Sequence, residues 1–222
     1  MDTALCQQNE LKRWQPEEAL LVECRQLEQV AEQLIKQKTM TMNALKALEL
    51  QPVKSQLATK SLKQTLKMLE RQIQQMEDKL QDNLGNLFQK EIQLLCSITG
   101  IGKKTAGMLL LFAGGFKDMS SYRQLIAKAG LCPREYSSGS SIRGKVRITK
   151  MGGGLIRSKL FMCSFSAKKS NAACKALYER LVAKGKNGKR ALIAVCNKLL
   201  KQAFAIVKSS IPYHPNFAEI PA

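Results

Sequence analysis

The sequence predicts a mainly α-helical chain in two parts: a long antiparallel helical hairpin forming a coiled-coil arm, then a compact helical domain containing a helix-hairpin-helix-like motif. Three observations predict it: two leucine-rich seams spaced alternately by four and three residues, the glycine run Thr99-Gly100-Ile101-Gly102, and a change of charge near residue 90. The 222 residues are 45% hydrophobic and 24% charged, with 14 Gly and 6 Pro. That is enough apolar side chain to offset the entropy of ordering one or two domains, and it excludes collagen-like, mucin-like and fully disordered chains.

The arm is expected over residues 16–89, after a linker-like stretch at 1–15. Leu20, Cys24, Leu27, Ala31 and Leu34 follow one another by four and three, and Leu45 and Leu48 resume the register. Gln51 and Pro52 end this helix, because proline disfavours helical geometry in the residue before it and donates no amide bond. Leu62, Leu66, Leu69, Ile73, Met76, Leu80, Leu84 and Leu87 then mark a second helix. A short Pro-containing turn between two long helices folds most simply into a hairpin. The same seams also suit a partner chain, such as a second copy, and equally an ordinary helical bundle.

The basic domain is expected over residues 90–210. The apolar residues Leu94, Leu95 and Ile98 lead through Gly100, Ile101 and Gly102 to Lys103, Lys104 and Thr105 and a second apolar helix. Glycines at these positions permit a tight turn and close backbone approach, so the amides at the start of the second helix can receive a phosphate, with the two lysines adding charge. A plain helix end followed by a new helix start has the same pattern. Further helices are expected over about Ser121 to Ala129, Leu155 to Ala167, Cys174 to Ala183 and Ala191 to Lys208, and a proline-containing tail at 211–222 lies as extended chain.

Between the first two of these lies a loop dense in hydroxyls, glycines and cations, in which Val146 to Thr149 make a short strand or none. Ser137, Ser138, Ser140 and Ser141 sit among Arg134, Arg143, Lys145, Arg147 and Lys150, and Arg157, a further candidate DNA ligand, lies in the first turn of the next helix. Arginine donors fork onto phosphate oxygens, so the loop suits phosphate binding. With a base to take its proton, a serine there could attack a phosphodiester. On spacing alone the binding loop is the commoner reading.

Charge assigns the partner. The net charge is +19, and residues 91–222 hold 23 Lys and Arg against five acids, a net of +18, whereas the first ninety residues net +1. A surplus of this size repels itself unless a polyanion neutralises it, so duplex DNA is the expected partner of the second part, with an anionic membrane surface as the weaker alternative. No apolar stretch is long enough to span a bilayer, and the polar start is unlike a signal peptide. Seven scattered cysteines without CxxC spacing and a single histidine, His214, give no metal site and fit reduced thiols in a cytoplasmic protein.

Gly100-Ile101-Gly102 with Thr105-Ala106, Ala129-Gly130-Leu131 with Pro133, Ser138-Gly139, Arg143-Gly144, Lys150, Gly152, Arg157, and Tyr178 with Leu181 closely resemble the C-terminal domain of the DEDD-type insertion-sequence transposases. That group is related to the Piv-type pilin-gene invertases and includes the bridge-RNA-guided recombinases. The resemblance covers about residues 90–210. It implies DNA strand exchange in a prokaryotic, nucleoid-associated setting, with Ser138 as the nucleophile that forms a 5′-phosphoserine link, and with a guide RNA as a candidate partner. It also implies a RuvC-like domain ahead of the arm, whose four carboxylates hold divalent metal such as Mg. The stretch around Trp14-Gln15-Pro16 resembles the linker that follows that domain, and no cofactor is expected within the chain itself. Gly153 stands where the family is expected to have a polar residue such as Asn. Two readings stay open: a transposase part whose serine reacts when the acidic domain is supplied, and a truncated, inactive protein that binds DNA or the full-length transposase.

Overall fold

The computed structural model describes residues 18–134, 137–138, 142–143 and 147–215. The linker-like residues 1–15 and the end of the tail, 216–222, lie outside the described residues. The chain divides into two compact units, Met1–Glu77 and Asp78–Ala222. Among the described residues the architecture is helical, with four two-residue strands.

The first unit contains α1 (Ala19–Glu49) and the beginning of α2 (Gln56–Cys96), packed as the expected hairpin. Every seam position from Leu20 to Leu48 and from Leu62 to Leu87 is buried or half-buried, while most intervening positions are exposed, as a 3.5-residue repeat requires. Between the helices, Gln51 to Val53 turn the chain. Ser55 then caps α2, its Oγ accepting the amide of Ala58 at 3.3 Å, and its carbonyl accepts the amide of Thr59. Lys38 and Glu70 form an ion pair across the hairpin at 2.9 Å, with Leu69 buried beside it in sequence.

The second unit is built around α7 (Gly188–Ser209), which buries Leu192, Val195, Cys196, Leu199, Leu200 and Ile206 among others. Against it pack α4 (Tyr122–Lys128), α5 (Gly154–Ser170) and α6 (Ala172–Ala183), while α3 (Lys103–Ala113) packs on α5. Each fully buried leucine contributes roughly 2 kcal/mol relative to exposure. The end of α2 joins this unit, where Leu84 fills the space left by Gly107 of α3. A non-helical residue, Phe88 (φ −139°, ψ 33°), interrupts α2 and packs its ring where a side chain on Gly115 would stand.

The serine- and arginine-rich segment, expected as a loop with at most a short strand at Val146 to Thr149, carries two short antiparallel ladders, one of which includes Arg147–Ile148. β1 (Pro133–Arg134) pairs with β4 (Arg147–Ile148), and β2 (Ser137–Ser138) pairs with β3 (Ile142–Arg143). The register sets Arg134 opposite Arg147 and Ser138 opposite Ile142. Two residues per strand leave no alternating pattern long enough to announce a strand in the sequence.

The six described cysteines are all free thiols, three of them buried. Burial pushes Cys174 up to about 11, against the pull of Lys198, and Cys196 up to about 12, so both remain protonated at neutral pH. No helix among the described residues is long and apolar enough to cross a membrane.

The packing generates two expected outcomes. Leu69→Asp with Ile73→Asp places charge in the seam of the first unit, so helix content measured by circular dichroism should fall. Retention of the full helical signal would refute the seam. At Gly100, φ is +110° and a Cβ would stand 2.8 Å from Ala167 Cβ and 3.0 Å from its Cα. Gly100→Ala should therefore cost about 2 kcal/mol or more, read as a lower denaturation midpoint. Gly102→Ala, whose Cβ meets no atom within 4 Å, should cost about 1 kcal/mol or less.

Candidate nucleic-acid interface

The basic turn follows from the end of α2. After Cys96 the chain makes two tight backbone bonds, Ile98 N to Leu95 O at 3.1 Å and Ile101 N to Ile98 O at 2.9 Å, and enters α3 at Lys103. Ile98 and Ile101 point into the core, leaving Gly102, Lys103 and Lys104 exposed. Gly102 caps α3 in an extended conformation (φ −89°, ψ 164°) and supplies no side chain to the first-turn amides, whereas Ser121, Asn171 and Asn187 do so for α4, α6 and α7.

The two glycines of the turn therefore have different roles. Gly100 is held against Ala167 in a backbone region that favours glycine, whereas Gly102 has open space over its α-carbon. Thr105 faces inward, its hydroxyl accepting from the Cys163 thiol at 3.5 Å. Lys103 lies over a groove of about 720 Å³ along the end of α2, lined by Gln89, Gln93 and Cys96. Burial raises the Cys96 thiol, with Lys103 pulling it back.

A buried polar network between residues far apart in the chain fixes this turn. Asn171, 1% exposed, accepts the Cys174 amide on Oδ1 at 3.1 Å, and donates from Nδ2 to Thr99 O at 3.4 Å and to Gln202 Oε1 at 3.2 Å. Tyr213 donates its hydroxyl to Asn171 Oδ1 at 3.2 Å, and its amide donates to Ser97 Oγ at 2.7 Å. The start of the tail is thereby tied to the turn, because a buried amide side chain left without partners is costly. The burial that makes the network possible also raises the Tyr213 phenol.

The serine segment is fixed at its base. Thr149 N donates to Cys132 O and Lys150 N to Gly130 O, each at 3.0 Å, closing the segment into a ribbon. Arg157 locks that closure from the first turn of α5, with Nη1 donating to Ala129 O at 2.9 Å and to Gly152 O, and Nη2 to Lys150 O at 3.4 Å. Gly130 (φ +65°) lies beneath the guanidinium, where a Cβ would meet Arg157 Nη1 at 2.6 Å. Expected from the sequence as a DNA ligand, Arg157 directs these donors to the chain's own carbonyls. Arg134, Arg147 and Lys150 are exposed on or beside the ribbon, and the backbone of Ser138 and Arg143 lies in the second ladder. Lys145 lies outside the described residues.

Helix α5 carries both features. Gly100 rests on Ala167 and the ribbon base on Arg157, ten residues apart, or about 15 Å along a helix axis. Sequence spacing does not reveal this, since residues 100 and 157 are far apart in the chain. Among the described residues, no group of three His, Cys, Asp or Glu side chains is placed to hold a metal ion.

Residues 92–179, from the last turns of α2 to α6, match the family described as Transposase IS116/IS110/IS902. The chain is similar to the pilin gene-inverting protein of Moraxella lacunata, with 35% identity over 57% of this chain and 39% of that protein. It is also similar to an uncharacterised insertion element IS110 protein of Streptomyces coelicolor, with 28% identity over 54% and 29% of the two chains. The transposase for insertion sequence element IS1328 of Yersinia enterocolitica gives 36% over 52% and 34%. The matched part spans about two fifths or less of these curated relatives. The basic turn, the serine ribbon and α5 all lie within residues 92–179, the part of the chain that is similar to this transposase family and to the pilin gene-inverting protein.

Proposed function

We propose that the second unit binds duplex DNA and acts in DNA transposition and site-specific recombination, gripping the phosphate backbone with the α3 turn and presenting Ser138 on the ribbon. The observation that carries this reading is the position of the turn and the ribbon inside the matched transposase domain, in the half of the chain with net charge +18. The exposed Lys103, Lys104, Arg134, Arg147 and Lys150 are the cationic contacts, joined by Arg143 and Lys145. Arg157 positions the ribbon, and Gly100 and Thr105 position the turn.

In the reaction proposed, Ser138 Oγ loses its proton to a base and attacks a DNA phosphorus. The Oγ–P bond forms as the P–O3′ bond breaks, and the departing O3′ takes up a proton, leaving a 3′-hydroxyl and a 5′-phosphoserine link. Arginine beside the ribbon spreads the charge of the pentavalent phosphorus. The divalent metal of the DEDD-type transposases belongs in this reading to carboxylates of a RuvC-like domain. The described residues of this chain do not supply such a donor set. A guide RNA and self-association through the arm complete the proposal by the same likeness.

Two measurements test it. DNA affinity of the full chain should fall by several decades between about 50 and 200 mM salt, and Gly102→Val should weaken all sequences alike, because a branched Cβ at the open cap obstructs a phosphate without reading bases. Salt-independent binding, or a loss confined to one sequence, would overturn the backbone grip. With a family RuvC-like domain supplied in a second chain, the protein should form a covalent DNA adduct on a denaturing gel. Ser138→Ala should abolish it at nearly unchanged affinity, while Ser137→Ala retains it. An adduct that survives in Ser138→Ala would remove Ser138 from the role.

A further inference from the structure

The arm's net charge of +1 is the average of two opposite parts. Residues 33–69, which surround the hairpin turn, hold seven lysines and one acid, Glu49, for a net of +6. The rest of the first ninety residues hold eleven acids against six Lys and Arg, a net of −5. No carboxylate occurs between Leu50 and Leu69. Lys60, Lys63 and Lys67 repeat at three and four residues, so they lie along one face of α2 for about 10 Å. With Lys54 of the turn they line an open groove of about 700 Å³, whose wall also includes Thr59 and Gln64. All four lysines are exposed.

We propose that this lysine row at the tip of the arm is a second binding surface, taking the phosphate backbone of duplex DNA. Lysine is a point charge on a flexible stem and accepts phosphates without a fixed angle, and Gln64 and Thr59 add neutral polar groups that suit sugar and phosphate oxygens. The alternative partners are an acidic protein surface, such as the acid-rich base of another copy's arm, and an anionic membrane. Exposed Lys–carboxylate pairs contribute little each, because water and salt screen them. Duplex DNA carries one charge for about every 1.7 Å of axis, and displacing its condensed counterions gives the same four lysines a much larger effect. A whole-arm charge near zero conceals this basic tip, so DNA contact is not confined to residues 91–222.

The test uses the full chain with a photo-crosslinking p-benzoylphenylalanine at Gln64 in the groove or, as a control, at exposed Gln75 among the acids of the same helix. With duplex DNA at low salt, Gln64 should crosslink to DNA and Gln75 should not. Replacing Lys54, Lys60, Lys63 and Lys67 together by Gln should lower the Gln64 yield about tenfold or more. Because these side chains are exposed, the circular dichroism of that variant should match the parent. Equal crosslinking at both positions, crosslinks from Gln64 to another copy of the chain in place of DNA, or loss of co-sedimentation with phosphatidylserine vesicles in the lysine variant without loss of DNA crosslinking would each overturn the proposal. Failure of the Ser138 adduct or of the Gly102→Val effect leaves the Gln64 result standing, so the two DNA surfaces can be judged apart.

Discussion

Burial of α7 is the constraint on which the second unit depends. Its buried residues, from Ala191 to Ile206, spread over about half of the helix circumference, a face wide enough that α4, α5 and α6 cover it together. A unit with 23 Lys and Arg and five acids in the corresponding half of the chain has little attraction between surface charges to hold it together, and the apolar core must offset the mutual repulsion of its cations. Several lysines lie over aromatic rings, Lys201 on Tyr122 at 4.8 Å and Lys168 on Tyr178 at 4.9 Å, where the ring faces partly replace carboxylates as neighbours.

On that core, α5 serves as the common support. Its N-terminal turn supplies the Arg157 guanidinium to three carbonyls at the base of the ribbon, and its C-terminal part gives the flat contact at Ala167 on which the Gly100 turn rests. Asn171 follows directly and satisfies the groups that the turn leaves buried. One short stretch of chain thus sets both the spacing and the orientation of the two features that the proposed function uses.

The hairpin was legible because its signal is periodic and local: leucine every three and four residues, stopped by Pro52 and restarted after Ser55. The helices of the second unit were legible to within a few residues for the same reason, with boundaries such as Gly154–Ser170 where Leu155 to Ala167 was expected. The division of labour between Gly100 and Gly102 was not, because it depends on a contact with residue 167. Arg157 looked like a phosphate ligand since an arginine at a helix start beside glycines has that pattern; only the fold reveals carbonyls within reach of its donors. The Asn171, Gln202 and Tyr213 network joins residues far apart in sequence and leaves no spacing to read.

The Arg134–Arg147 pairing has a consequence for order. Two like charges directly opposite each other in an antiparallel ladder oppose its formation, and the ladder here is only two residues long. An anion seated between them reverses the sign of that local energy, and anything that binds the paired form and not the open one stabilises it by mass action. The folding equilibrium of the β1–β4 ladder and its occupancy by phosphate are therefore linked: that ladder, at the base of the segment, is best formed when polyanion is present.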